Sequence, residues 1–552
     1  MSETAETHRR SAAGTPLAGA VRALARRRFE LAVAAITAAP AAFLGHQLLA
    51  WPPHEDETLA LFVGRHSLTG LFDTVLHERG GAPLHFLLAW AVAHTGGGLG
   101  ALRAVSAALA VASLPLVALL GARLVGRRPA LVATALTGAS WTLLFHGVYG
   151  RMYSLFLLTS LLSLLALSTA LDRGGRRAWS LWVLAMLAVV ATHPYGALVL
   201  GGQAVFVLWR RRDRLREAAL AGGAVALLGT PFWLTALVLA GRFDVGVGGG
   251  GEKLGGPVPV LSYLLDVAGD FGAGYRAALW GALALAALGL VTLWRTRRDT
   301  AALALSLAVV PTVALLLAKL GSAASPESRH LIFLLPFYAL AVAAGLERLR
   351  ATRVRALVPL ALSALLVAQV AWAWHRTPPL FEWEPDQRQA ARAEASAYLA
   401  ATGRPDDLLF GYDPLFLGAW ERDGDFAGTV VPRADSRLAL RTLRKAEAPL
   451  GRGVWILDAS RPNNVNPRLQ IEMRTPSPAA EFEARAFGPF LVIRTDGPTL
   501  TPRRYLELAG RALLLGKSLQ IGDADINLLT VDRAARKERG YGAARSLSRV
   551  SR

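Results

Sequence analysis

The apolar residues of this chain fall in blocks. Most blocks run about 15–23 residues, long enough to cross a bilayer core, and they do not show the two-residue alternation of half-buried strands. In order they predict about eleven spans, at 31–51, 101–122, 129–148, 153–171, 178–193, 195–209, 218–240, 276–294, 300–319, 330–347 and 356–374. One further apolar piece, 82–95, is short for a crossing and ends in Thr-Gly-Gly-Gly, so it reads as a juxtamembrane helix. The pattern predicts an α-helical polytopic membrane protein, with a transmembrane domain over 31–375. After Trp374 hydropathy falls and the charge becomes mixed. A helix over 387–401 and buried strands at Leu408–Tyr412, Val454–Asp458 and Phe490–Arg494 predict an α/β domain over 376–530, followed by a disordered basic tail, 531–552. The Gly-rich run Val245–Gly251 lies in the long polar segment 241–275 and reads either as a linker or as a lid.

Charge orients this pattern. The 552 residues carry a formal charge of +20, but the arginines sit in short clusters between apolar blocks, where they set topology and give no support to nucleic-acid binding. Arg22, Arg26, Arg27 and Arg28 precede the first span and place the basic N-terminus, 1–30, in the cytoplasm. With 82–95 not crossing, the clusters at 123–128, 173–177, 210–216, 295–298 and 348–355 all fall inside, and the α/β domain falls outside. The protein is therefore expected in the plasma membrane. No h-region with a cleavage site opens the chain, so the first span is expected to act as its own anchor. Cysteine is absent, which excludes disulfides and thiolate metal sites.

Under this topology the outer segments and adjoining span ends carry acids, histidines, tyrosines and a few arginines, among them Arg103, Tyr149, Asp270 and His330. Polar groups of both signs at one face suggest an outward-facing site. The centre of interest is Glu55-Asp56-Glu57, directly after the first span. These acids read either as an N-terminal helix cap or as a catalytic carboxylate. His54, His77 and His85 match no tight ligand spacing, so a divalent metal is not expected and no cofactor is predicted.

The order of Asp56-Glu57, then Ala82-Pro83-Leu84-His85, Ala101-Leu102-Arg103-Ala104-Val105-Ser106, Gly126-Arg127-Arg128-Pro129-Ala130-Leu131 and Tyr149-Gly150-Arg151-Met152-Tyr153 resembles the GT-C glycosyltransferases. This superfamily includes protein O-mannosyltransferases and the lipid A aminoarabinose transferase. Gly81-Ala82-Pro83-Leu84 stands where members commonly have His-Pro-Pro-Leu, and Arg151–Leu155 lacks the acid that some relatives use for metal. The resemblance implies inverting transfer of a sugar, mannose or another hexose or pentose, from a polyprenyl-phosphate donor to a glycan, lipid or protein hydroxyl in envelope biogenesis. It implies Asp56 as base, with Glu57 beside it as a catalytic or sugar-binding acid. Arg329 and Arg151 are the candidates for the donor phosphate, because a guanidinium grips phosphate oxygens in pairs. Glu55, His85, Tyr153, His193 and Tyr195 are candidate substrate contacts. A transporter or flippase of lipid-linked sugars, or an inactive glycan-binding paralogue, stands as the alternative reading; it would also place polar groups at a membrane face.

Overall fold

The computed structural model describes residues 16–51, 53–76, 80–243, 256–317, 327–377, 386–412, 427–432, 451–458, 482–488 and 490–495. The Gly-rich run Val245–Gly251, His77, Glu78 and the 531–552 tail lie outside them, as does the side chain of Glu55.

The apolar blocks are helices. They comprise α1 (Pro16–Gln47), α2 (Glu55–Gly64), α3 (Leu68–Thr74), α4 (Pro83–His94), α5 (Leu99–Leu124), α6 (Arg127–Ala139), α7 (Trp141–Val148), α8 (Met152–Arg173), α9 (Arg176–Thr192) and α10 (Gly196–Arg210). Beyond these come α11 (Leu215–Leu228), α12 (Thr230–Phe243), α13 (Pro257–Phe271), α14 (Arg276–Thr296), α15 (Arg298–Leu317), a 3-10 turn at Ser328–Leu334, α16 (Leu335–Arg350) and α17 (Val358–Arg376). Among the described residues seven helices are long and apolar enough to cross a membrane, or nine if each of two bent pairs is one span. The chain is a multi-pass membrane protein. The predicted spans at 178–193 and 195–209 are the 17-residue α9 and the 15-residue α10, both shorter than the roughly 20 residues of a full crossing.

The bent pairs carry polar consequences. α6 and α7 meet at 52° across Ser140, whose backbone is extended. The predicted single span 129–148 is thus two helices, and the break delivers Tyr149-Gly150-Arg151 to the head of α8. Elsewhere the bundle closes through small residues. A Cβ at Gly289 of α14 would lie 1.8 Å from the Ala341 carbonyl oxygen, and one at Gly345 of α16 would lie 2.1 Å from that of Leu285. Only glycine allows backbones this close, the usual route to tight helix pairs in lipid. Gly345→Val is expected to force α14 and α16 apart at a cost of about 1–3 kcal/mol. A lowered thermal midpoint in detergent would report it, and an unchanged midpoint would show that this contact is not what holds the pair.

After α17 come a helix, α18 (Asp386–Thr402), and strands β1 (Leu408–Tyr412), β2 (Thr429–Pro432), β3 (Gly453–Asp458), β4 (Phe482–Phe487) and β5 (Phe490–Thr495), in the order β2-β1-β3-β5-β4. β1 is parallel to β2 and β3; β5 is antiparallel to both β3 and β4. Strands β2 and β4 are additions to the three that the sequence pattern predicts. Ala391, Ala395 and Leu399 of α18 cover the sheet's buried face together with Leu409, Val454 and Val492, and Phe62 of α2 packs against the same cluster.

Candidate functional site

The three acids form the first turn of α2. A carboxylate there meets unpaired backbone N–H groups and the positive end of the helix dipole. Residues 56 and 57 are about 100° apart around the axis, and this separation divides their roles.

Glu57 turns inward and is fully buried. Its Oε1 accepts the His54 backbone N–H at 2.9 Å, closing a capping box. The same carboxylate accepts Arg103 Nε at 3.0 and 3.1 Å, Arg103 Nη2 at 2.5 Å and the Gly150 N–H at 2.8 Å. Arg103, on α5, also donates Nη1 to the Leu48 and Trp51 carbonyl oxygens at 2.8 and 2.9 Å and lies over the Tyr149 ring at 5.1 Å. This one buried ion pair therefore ties together the chain after α1, the start of α2, helix α5 and the Tyr149–Arg151 segment. Gly150 is required at the junction, since a Cβ there would come within 2.7 Å of Leu102.

Asp56 turns the other way. Its side chain is 42% exposed and pairs with Nη2 of Arg151, whose own side chain is 4% exposed. The Asp56 N–H is accepted by His54 Nδ1 at 3.2 Å. Burial, and then the Arg151 charge, push the His54 imidazole down to about 3. It is neutral near pH 7 and keeps the lone pair that receives this hydrogen bond. The same two causes, in the same order, push His85 of α4 down to about 4. His85 is buried, and its Nδ1 makes no hydrogen bond.

Arg151 and Arg329 come together over one ring. Tyr153, buried at the start of α8, has the Arg151 guanidinium 5.1 Å from its ring centre and that of Arg329 at 5.3 Å. Arg329 sits in the 3-10 turn, is 15% exposed and pairs with Glu327 at 2.5 Å; its buried Nε–H has no hydrogen-bond partner among the described residues. Around Tyr153 stand His146 at 5.1 Å, His193 at 5.7 Å and His330 at 5.8 Å between ring centres. The Tyr195 ring lies 5.3 Å from those of both His193 and His330, edge-on to the first and tilted against the second. His193 Nδ1 is occupied by the Tyr195 N–H at 3.0 Å.

Asp56, Arg151, Arg329, Tyr153, His193 and Tyr195, named from separate stretches of sequence, thus share one cluster. Glu57 is adjacent but enclosed. The sequence reading places Arg103 and His330 in the outer polar set without a role, and passes over His146. The available signal for His146 was a single imidazole inside an apolar run, where an ionisable group is a functional candidate. Among the described residues no group of three or more His, Cys, Asp or Glu side chains is placed to hold a metal ion. The arrangement offers two guanidinium groups on an aromatic floor, each beside a solvent-accessible carboxylate, Asp56 at Arg151 and Glu327 at Arg329. It is suited to a proton acceptor next to an anionic ligand.

No protein-family model matches the chain, and no curated protein matches it in sequence. Solved structures do match in fold. ArnT from Cupriavidus metallidurans bound to undecaprenyl phosphate is 13% identical with a TM-score of 0.56, over 84% of this chain and 97% of that one. The Archaeoglobus fulgidus oligosaccharyltransferase AglB, in complex with an inhibitory peptide and a dolichol-phosphate, is 12% identical with a TM-score of 0.48, over 77% of this chain and 69% of that one. The chain has the GT-C fold.

Proposed function

We propose that this GT-C-fold chain is an inverting glycosyltransferase. It moves a sugar from a polyprenyl-phosphate donor to a hydroxyl of an envelope glycan, lipid or protein at the outer face of the plasma membrane. The observation that carries the reading is the convergence of Asp56, Arg151 and Arg329 around Tyr153. Undecaprenyl phosphate in the ArnT structure of the same fold supports the donor class.

In the proposed reaction Asp56 accepts the proton of the acceptor hydroxyl, whose oxygen attacks the anomeric carbon. The bond from that carbon to the phosphate oxygen breaks, and its electron pair leaves with the lipid phosphate. A base needs only to lie within hydrogen-bond reach of the attacking hydroxyl. Cationic donors aimed at the phosphate stabilise the charge that develops on departure. Arg329 brings a buried Nε–H that no group among the described residues accepts. Arg151 pairs with Asp56 and lies over the same Tyr153 ring as Arg329, so it joins the base to the phosphate-binding side of the site. Glu57 keeps Arg103 and Gly150 in place and so fixes the path of the chain into Arg151.

Arg329 supplies the test. Arg329→Ala is expected to weaken binding of polyprenyl-phosphate sugar by roughly ten- to a hundredfold, the worth of a charge-assisted bond to a partly dehydrated anion. Arg329→Lys is expected to recover only part of it, because an ammonium lacks the paired geometry. Titration of donor against folded, detergent-solubilised protein measures both. An unchanged dissociation constant in Arg329→Ala would remove this arginine from the site, and full recovery in Arg329→Lys would reduce it to a point charge. Mass spectrometry of products from a panel of lipid-phosphate sugars identifies the sugar.

A further inference from the structure

Asp270 is buried in the last turn of α13. A carboxylate is badly placed there, because the C-terminal end of a helix carries partial negative charge. Its backbone carbonyl oxygen accepts Ser140 Oγ at 3.1 Å, at the α6–α7 break, and Thr142 Oγ1 at 3.0 Å, in the first turn of α7. Its side chain is occupied as well. Oδ2 accepts Ser328 Oγ at 2.7 Å, while Oδ1 accepts Trp372 Nε1 at 3.3 Å and faces Arg376 Nε at 3.5 Å. Burial pushes the carboxyl up, and Ser328, Arg376 and Trp372 pull it the other way. These partners offset the unfavourable placement, and none of them belongs to α13.

The Ser328 contact bears on the site. Seven residues before Asp270, two turns back on the same face of α13, the Tyr263 hydroxyl donates to the Glu327 carbonyl oxygen at 3.1 Å. One helix face thus grips residues 327 and 328, which immediately precede Arg329 and open its 3-10 turn. The turn is closed from within by the Glu327 N–H, which donates to His330 Nδ1 at 2.8 Å. Where the Arg329 guanidinium lies over Tyr153 therefore depends on where α13 holds the start of the turn.

We infer that Asp270, through Ser328, is a positioning residue that holds Arg329 at the place where it meets an anionic phosphate ligand. Asp270 touches neither the ligand nor the reacting atoms. The inference rests on the reading of Arg329 as a donor-phosphate ligand. Through Trp372 and Arg376, Asp270 also fixes the turn to the last two turns of α17.

Undecaprenyl phosphate without a sugar is a sufficient probe. Its affinity is compared for folded wild type, Asp270→Asn, Ser328→Ala, Arg329→Ala and the Asp270→Asn/Arg329→Ala double variant. Asp270→Asn and Ser328→Ala are each expected to bind roughly two- to thirtyfold more weakly, the range for substitutions that act on a site through a connecting network. The double variant is expected to bind no more weakly than Arg329→Ala alone. In turnover assays Asp270→Asn is expected to raise KM for the donor more than it lowers kcat. Wild-type affinity in Asp270→Asn and Ser328→Ala, or losses that multiply in the double variant, would overturn the inference, since Asp270 would then act on the fold and not through Arg329. If Asp270→Asn does not fold, Ser328→Ala decides alone, because it removes one hydroxyl and leaves the carboxylate its other partners. Wild-type affinity in Arg329→Ala is a separate outcome: it refutes the phosphate reading and this inference with it.

Discussion

Asp56→Asn is expected to lower turnover by about 10²–10⁴-fold, the usual contribution of a positioned base, while donor-lipid affinity stays within a few-fold of wild type. Asparagine keeps the size of the side chain and an oxygen for Arg151, so the local packing survives. It cannot take a proton from the acceptor hydroxyl. The loss should therefore appear in kcat, with undecaprenyl phosphate binding measured on the same preparation as the control. Intact turnover would sink the assignment of Asp56 as base. Loss of binding together with turnover would mean that the residue serves the site only by holding Arg151.

The neighbouring acid should behave differently. Glu57→Gln is expected to destabilise the protein by about 3–5 kcal/mol, the cost of stripping one partner from a buried ion pair. The replacement leaves Arg103 buried without its counter-charge and turns an amide NH2 toward Arg103 and either the His54 N–H, at the Oε1 place, or the Gly150 N–H, at the Oε2 place, donor against donor. The measurement is the thermal midpoint in detergent and the yield of monodisperse protein, which should both fall before activity is considered. A variant with the wild-type midpoint and no turnover would instead place Glu57 in contact with substrate. The two adjacent acids thus separate by readout, one in the rate and one in the fold.

The Glu55-Asp56-Glu57 run was legible from sequence as carboxylates at a helix start, and the capping reading is met by Glu57. Glu57 makes the cap, and Asp56 is the acid left accessible beside two arginines. What told them apart was Arg103, 46 residues away, together with Gly150, 93 residues away. The span pattern was legible as well, except at the short α9 and α10 and at two breaks inside apolar runs, at Gly229 and at Ser140; the Ser140 break is stabilised by its bond to the distant Asp270 carbonyl. Strands β2 and β4 escaped the sequence reading for a related reason. β2 is four residues at a sheet edge, and in β4, Phe-Glu-Ala-Arg-Ala-Phe, the four residues between the end phenylalanines are charged or small, so its place is set by pairing with β5.

By itself the sequence determined what local forces determine. Runs of apolar residues become helices in a bilayer because every backbone polar group is then satisfied within its own segment. Arginine clusters bias the orientation of such helices without reference to one another, and from them the sequence predicts a common outer set of acids, histidines and tyrosines. The tertiary structure decided which members of that set meet. Asp56, Arg151, Tyr153, His193 and Arg329 are separated by up to 273 positions in the chain (329 − 56), and no periodicity links residues on different helices. Their meeting depends on the 52° break before Tyr149, on the buried Glu57–Arg103 pair, and on the grip of α13 on the Ser328–Arg329 turn. Each of these is a long-range contact whose energy appears only when the helices are already side by side.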